Sequence, residues 1–516
     1  MTRDIGSGGD SGCRTGFWPL TSPTGAGPSG AGATTMGNAD SRDASPDTVL
    51  GHPRLLWTLL VVTVGLNFAF YGFRAFLAPY AAEAFFADRP HEQALAAANY
   101  LFAGFGALTY GTAILGGWVA DNVLGEVAAL RLALWLSVAG LLGMAVPNLS
   151  AFSLALAFFV LAAGLGIPLT VLIGRNYANA DPRRDAGYTL FYLAINLGGF
   201  IAPFICAAWI GARYGFRWGF VAAAAGMALA AAVFEFRHRQ FPGAADAVRF
   251  RRRWSMLAVI GAIVVLVWPC AWLLRHPRAM DAVVYLLMAV LVAYFVVVGW
   301  RRGDRVQAQR YVAMLLLFVA MVLFWAWSLL SASAMNFFAR DFVDAPFDYT
   351  LFQSANPLFI LIFAPLLALL WPWLDRRGLN PTTPRKFGIG LLLVALGYGV
   401  LLLASRHGLL PDGRVWWPAL GAYYLFATLG ELALSPIGYA MIGKLAAPDE
   451  ASLAMGGWFF GISVSYDLAG QIAAQTTGGL DAYVRVFGWL LWGGLAIAAV
   501  YLLFAPWIVR LMHGVR

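Results

Sequence analysis

From Leu55 to the C-terminus the chain is a succession of long apolar runs separated by short polar turns. A run of about 20 apolar residues is enough to cross the hydrocarbon core of a bilayer as an α-helix. A transmembrane barrel would instead show alternating segments of about ten residues, and none recurs here. The pattern predicts fourteen helical spans, at 54–79, 97–118, 127–147, 151–174, 187–209, 216–235, 254–274, 280–300, 311–334, 351–373, 386–405, 416–443, 452–475 and 484–510. An even number places both termini on one side. The expected fold class is all-α, a polytopic membrane protein.

The spans group as six, two and six. Residues 1–50 are rich in Gly, Ser, Thr, Pro, Ala and Asp, which predicts a disordered cytoplasmic tail. No apolar stretch follows its first basic residues, so it does not read as a signal peptide. Met36 is as good a start as Met1. Residues 51–235 form an N-terminal six-helix half, 236–310 a linker with two extra membrane helices, and 311–516 a C-terminal six-helix half. An internal echo links the halves. Asp121 and Gly125 follow the second span of the first half, and Asp375 and Gly378 follow the second span of the last. Transporters are often built from such repeats, with the substrate site at their interface.

Composition strengthens the membrane reading. Charged residues make up 12% of the chain, about half the share in a soluble protein. The net charge of +9 would suggest nucleic acid in a soluble chain. Here 25 of the 35 basic residues fall in segments on the N-terminal side of the membrane, nine on the other side, and one, Arg74, inside a span. That asymmetry predicts an integral cell-membrane protein with both termini cytoplasmic, a lipid bilayer as its surroundings, and no nucleic-acid partner. Cys13, Cys206 and Cys270 are scattered, against a disulfide framework or a zinc site.

The six histidines, at 52, 91, 238, 276, 407 and 513, lie outside the spans. No metalloprotease, nucleophile-elbow or phosphate-loop pattern is present, so neither enzyme chemistry, metal nor cofactor is expected. Gly104-x-Gly106 lies inside a span and reads as close helix packing. An ionisable residue at the centre of a membrane helix costs about 2.5–3.5 kcal/mol on insertion scales, so each one is informative. Arg74, Glu431 and Asp467 are in spans. The first two read as ligand or gating groups against a static structural pair. Asp467 reads equally as a cap on a helix break. Asp121, Arg131, Asp375 and Arg376 stand at cytoplasmic span ends, as interfacial anchors or as a gating latch. Asn196 and Asn356 are intramembrane amides that either bridge helices or meet a ligand. Pro357 is expected to weaken the helix at Asn356. Trp325 and Trp458 are mid-span, suited to core packing or to lining a cavity.

Several of these segments carry a resemblance. Gly116-Gly117-Trp118-Val119-Ala120-Asp121 with Leu124-Gly125, Asp181 to Gly187 followed by Phe191 to Gly198, Phe352 to Phe359, and Gly430 to Pro436 together resemble the proton-dependent oligopeptide transporter family of the major facilitator superfamily. The similarity covers about residues 54–510. It implies a major facilitator fold and alternating-access transport of di- or tripeptides or peptide-like solutes, with protons as the coupling ion. It also implies roles: Glu431 for a peptide's amino terminus, Asn196 and Asn356 for its backbone, Arg74 for its carboxyl end, and Tyr71, Ser435 and Trp458 as cavity lining. Opposite charges at opposite ends of a low-dielectric cavity suit a zwitterion.

The chain also departs from the family. The usual E-x-x-E-R of the first helix reads Thr63, Leu66 and Asn67 here. The lysine usually found before proline in the fourth helix is missing from Gly164-Leu165-Gly166-Ile167-Pro168. Leucine replaces the seventh-helix glutamate in Phe324-Trp325-Ala326-Trp327-Ser328-Leu329-Leu330. Proton coupling is then expected to run through Glu431 and Asp467. An uncoupled facilitator or exporter of a different small solute, and a non-transporting membrane receptor, stay open as alternatives.

Overall fold

The computed structural model describes residues 48–177, 181–241 and 249–515. The tail predicted for 1–50 lies almost wholly outside the described residues, as does Cys13. Residues 47–516 form one compact unit. Its helices are α1 Arg54–Arg74, α2 His91–Leu124, α3 Glu126–Met144, α4 Leu149–Arg175, α5 Arg183–Tyr214, α6 Phe216–Gln240, α7 Trp254–Arg275, α8 Pro277–Arg301, α9 Arg305–Phe342, α10 Tyr349–Arg376, α11 Thr383–His407 and α12 Trp417–Leu445. Two more follow, α13 Ala451–Ala473 and α14 Leu480–Leu503. Among the described residues thirteen helices are long and apolar enough to cross a membrane. The other member of the fourteen, α13, is 23 residues long but carries Ser463, Ser465, Tyr466, Asp467 and Gln471.

Local signals set several ends. Asn148 accepts from Ser150 N and Ala151 N at 3.0 Å each and starts α4. Asp304 accepts from Val306 N at 2.8 Å and starts α9. Such side chains satisfy amides that lack a helical partner. The repeat seen in sequence has a backbone counterpart, since Gly125 (φ 77°) and Gly378 (φ 67°) both end a helix in the left-handed region. A Cβ would be disfavoured there. The first predicted span, 54–79, breaks at Ala75, and a separate short helix runs Leu77–Phe85. Pro357 does not weaken a helix. Tyr349–Ser354 is a 3-10 turn and the α-helix begins at Ala355, so the proline falls in a first turn, where its missing N–H is not needed.

Helices α1–α6 pack among themselves around an aromatic core. Phe73 of α1 meets Phe105 of α2 at 5.4 Å and Phe159 of α4 at 5.1 Å between ring centroids. Helices α9–α14 pack among themselves as a second group, chiefly α11 on α12 and α14. The groups meet where α2 lies on α13 and α5 on α10. At the first seam a Cβ on Gly106 would stand 1.9 Å from the Tyr466 ring, so only glycine allows this approach. Ser463 Oγ donates to Ala107 O at 2.7 Å across it. The inserted pair straddles the same seam, with α7 against α4 and α8 against α9 and α13. In the α8–α9 turn, Arg302 pairs with Asp449 and, at 2.9 Å, with buried Glu450, to which Tyr311 also donates. The Arg302 hydrogen bond holds the exposed Asp449 carboxyl below its usual range.

Candidate functional site

Between the two groups lies a small cavity of about 80 Å³. It is lined by Phe70, Tyr71 and Arg74 of α1, Tyr110 of α2, and Trp325, Ser328, Leu329 and Ser331 of α9. Gln353 and Asn356 of α10, Tyr424, Ala427, Thr428 and Glu431 of α12, and Ile462 and Tyr466 of α13 complete it. Helix periodicity explains the α12 contribution, because residues 424, 427, 428 and 431 fall on one face. The adjoining face is fixed by Gly430, where a Cβ would come within 2.7 Å of Gly390 O.

Arg74 enters from α1 because Phe73 and its aromatic neighbours hold the other face of that helix in the core. The Arg74 guanidinium lies 5.5 Å from the Tyr71 ring centroid and 5.9 Å from that of Phe102. Its Nε is buried without a hydrogen-bond partner, and no carboxylate pairs with it among the described residues. Glu431 enters from the other group. Asn356 Nδ2 lies 2.8 Å from Glu431 Oε2 and 3.0 Å from Thr428 Oγ1. The cavity therefore offers an unpaired cation on one wall and an oriented carboxyl on the other, with hydroxyl and amide groups between them.

One end of the cavity is closed by polar contacts. Gln353 Nε2 lies 2.6 Å from Ser331 O, 2.7 Å from Asn336 Oδ1 and 3.0 Å from Tyr424 Oη. Asn336 Nδ2 donates to Ala75 O at 3.1 Å and Ser354 Oγ to Phe200 O at 2.8 Å, joining the second group to the first. At the same end Arg340 pairs with Glu83 at 2.9 Å.

Of the residues singled out in the sequence, Arg74, Tyr71, Asn356, Glu431 and Trp325 line this one cavity. The other expected site residues fall elsewhere. Asn196 is buried and donates to Tyr192 O at 2.9 Å in its own helix, outside the cavity lining. Trp458 is 1% exposed and packed between Phe318, Phe387 and Tyr439 rather than lining the cavity. Ser435, one turn beyond Glu431, has a buried Oγ without a partner and is not part of the lining. Asp467 caps no break, since α13 is continuous around it. It faces α8 through Gln471, which donates to Asp467 Oδ2 at 3.2 Å and to Tyr285 Oη at 2.8 Å.

The three expected gating residues do not form one latch. Arg131 pairs with Glu235 inside the first group, with Nε at 2.6 Å from Oε2. Asp375 accepts from Asn380 of its own turn at 3.0 Å, and Asp121 is exposed. Sequence reasoning missed Tyr110, Gln353, Tyr424 and Thr428, uncharged polar residues with no insertion penalty large enough to mark them. Two of the positions where family charges are missing look onto a second, mainly apolar cavity that shares Phe70 with the first. There Asn67 Nδ2 turns back to Thr63 O at 2.8 Å and Leu66 supplies carbon. Leu329 likewise presents carbon to the main cavity.

The model of the POT family matches residues 134–490. The uncharacterized transporter YclF of Bacillus subtilis is 32% identical over 484 residues, covering 90% of this chain and 96% of its own. The peptide transporter YePEPT of Yersinia enterocolitica is 31% identical over 500 residues, covering 91% and 97%. Among solved structures, a mutant of peptide transporter POT in complex with alafosfalin superposes with a TM-score of 0.79 at 30% identity, covering 91% of this chain and 98% of its own. A POT family transporter in complex with 5-aminolevulinic acid gives 0.76 at 27% identity, covering 90% and 98%. With the bundle, its central cavity and these end-to-end alignments in agreement, the chain belongs to the POT family of membrane transporters, built on the major facilitator fold.

Proposed function

We propose that this chain carries di- or tripeptides, or peptide-like solutes, across the cell membrane by alternating access, coupled to protons, with both termini in the cytoplasm. The observation that carries this reading is the pair of opposed charges in one cavity: Arg74 without a carboxylate partner and Glu431 oriented by Asn356. A buried charge is stable only when something compensates it, and a zwitterionic peptide compensates both at once. Its ammonium meets Glu431, its carboxylate meets Arg74, and its backbone meets Asn356 and Thr428. In this orientation the contacts of Asn336 and Ser354 close the outer end. The domain division at 51–235, 236–310 and 311–516 goes with the proposal, the first and last parts rocking about the cavity.

Binding of dialanine, N-acetyl-dialanine and dialanine amide to the purified chain in detergent tests it. The free dipeptide binds, and removal of either terminal charge weakens binding at least about tenfold, one charge-assisted contact being worth about 1.5–3 kcal/mol. Equal binding of all three overturns the zwitterion reading. Carbon at Leu66 and Leu329, where relatives of this type place charge, favours a second reading, an uncoupled facilitator for the same solutes. That reading predicts uptake indifferent to the pH gradient.

A further inference from the structure

The second cavity, which shares Phe70 with the first, measures about 190 Å³ and lies within the first group of helices, walled by α1, α3, α4, α5 and α6. Its room comes from a break in α4. One stretch of that helix ends at Gly164 and the next begins at Pro168, whose missing N–H cannot continue the hydrogen-bond ladder. Gly166, inside the break, leaves space between α1 and α3, since a Cβ there would point to Leu66 Cδ1 at 3.8 Å and Ala133 Cβ at 4.0 Å. No ionisable side chain lines the cavity among the described residues. Of its three polar side chains, Asn67 turns Nδ2 to Thr63 O at 2.8 Å and Thr170 donates to Ile167 O at 3.0 Å, which leaves Ser137. A water molecule needs about two to four polar partners to be held well, and here it finds few. An apolar cavity of about 150 Å³ takes up benzene or xenon, so this one has room for an isobutyl or phenyl group.

The second cavity continues the first along α1. Leu66, Phe70 and Arg74 follow at four-residue intervals on one face of that helix. Leu66 lines the second cavity, Phe70 both, and Arg74 the first. The first is the smaller, at about 80 Å³ against about 190 Å³, so the larger space beside a solute held there lies past Phe70 and is bounded by carbon. We infer that the second cavity is an apolar subsite for a hydrocarbon group of the solute. Which group it takes rests on the peptide reading above: the side chain of the C-terminal residue. The carboxylate of that residue sits on Arg74, and the side chain on the adjoining carbon is the group nearest Phe70, one turn back along α1. The subsite therefore favours dipeptides that end in a leucine or phenylalanine. A polar side chain of the same size gives up its water without gaining a partner and is disfavoured.

Calorimetric titration of the full chain in detergent with dialanine, alanyl-leucine, alanyl-asparagine and leucyl-alanine tests the assignment. Alanyl-leucine is expected to bind at least about tenfold more tightly than dialanine, the worth of burying a leucine side chain. Alanyl-asparagine, equal in shape but polar, and leucyl-alanine, with its side chain at the other end, are expected not to share the gain. Ala163 is a partly exposed wall residue, and Ala163→Leu fills the space. In this variant the ratio of alanyl-leucine to dialanine affinity should fall to near one, a ratio read on the folded fraction alone. Equal binding of alanyl-leucine and dialanine to the unaltered chain overturns the subsite and leaves the peptide reading standing. A gain that survives Ala163→Leu, or that belongs to leucyl-alanine instead, overturns the placement of the C-terminal side chain. Xenon needs no peptide and separates the two readings. Crystals of the full chain under xenon pressure should hold an atom beside Phe159 and Met227, absent in Ala163→Leu. If no dipeptide binds at all, the peptide reading falls; a xenon atom there still supports the apolar subsite, and an empty cavity overturns it.

Discussion

Arg74 and Glu431 were legible in the sequence because a charge in an apolar run has few tolerable places, and a water-filled cavity is the least costly. Rotation of a helix about its own axis was not legible, which is why Asn196 and Trp458 sit on the right helices but outside the cavity lining. This difference predicts opposite phenotypes. Glu431→Gln should lower dipeptide affinity about 10- to 100-fold, since it removes a charge from a hydrogen-bonded contact. Its thermal midpoint should hold, because Asn356 still finds an amide oxygen. Calorimetric titration beside a melting curve measures both. Trp458→Ala should do the reverse. The ring is enclosed by Phe318, Phe387 and Tyr439, and a Cβ on Gly438 would come within 2.4 Å of it. Emptying such a site costs about 3–5 kcal/mol. A large drop in melting temperature, with dipeptide affinity kept in the fraction still folded, is the expected result.

At the level of helices, the apolar runs located every span, because insertion depends on length and apolarity. Their internal breaks were harder to see. The end of α1 at Ala75 and the 3-10 turn before Asn356 arise from packing between the two groups, through Asn336 on Ala75 O and Ser354 on Phe200 O. The α2–α13 contact makes a sharp demand on one residue. Gly106→Val should destabilise the chain by about 1–3 kcal/mol through overpacking, and a lowered melting temperature would register it. The Arg302 clasp predicts a response to acid. Arg302 holds the Asp449 carboxyl below its ordinary value of 3.8, so this carboxyl contributes stability that is present above that value and lost as pH falls through its lower folded one. Hydrogen exchange of residues 446–450 should stay slow at pH near 5 and rise only once the medium is more acid than about 3.8. A rise that begins near neutrality would contradict the clasp.

For the molecule as a whole, the six–two–six grouping was legible from span count and basic loops. The partnership of each inserted helix was not, since α7 and α8 are apolar nearly throughout and give no sign of which neighbour they choose. In the structure they take one group each and meet at the seam, where motion between the groups would be felt. The polar part of the closure at the Ala75 end is two hydrogen bonds between the groups, each worth about 0.5–1.5 kcal/mol net, and one half-exposed Arg340–Glu83 pair worth about 0–1 kcal/mol. Contacts of that size can be exchanged on ligand binding without unfolding either group. Uptake of labelled dialanine into proteoliposomes, inside-acid and outside-acid, measures most directly whether the cavity takes a zwitterion between Arg74 and Glu431. Saturable uptake driven by outside acid, reduced at least about tenfold by either Arg74→Ala or Glu431→Gln, is the predicted result. Dipeptide uptake left intact by both substitutions, or no saturable uptake in the unaltered chain, would contradict it.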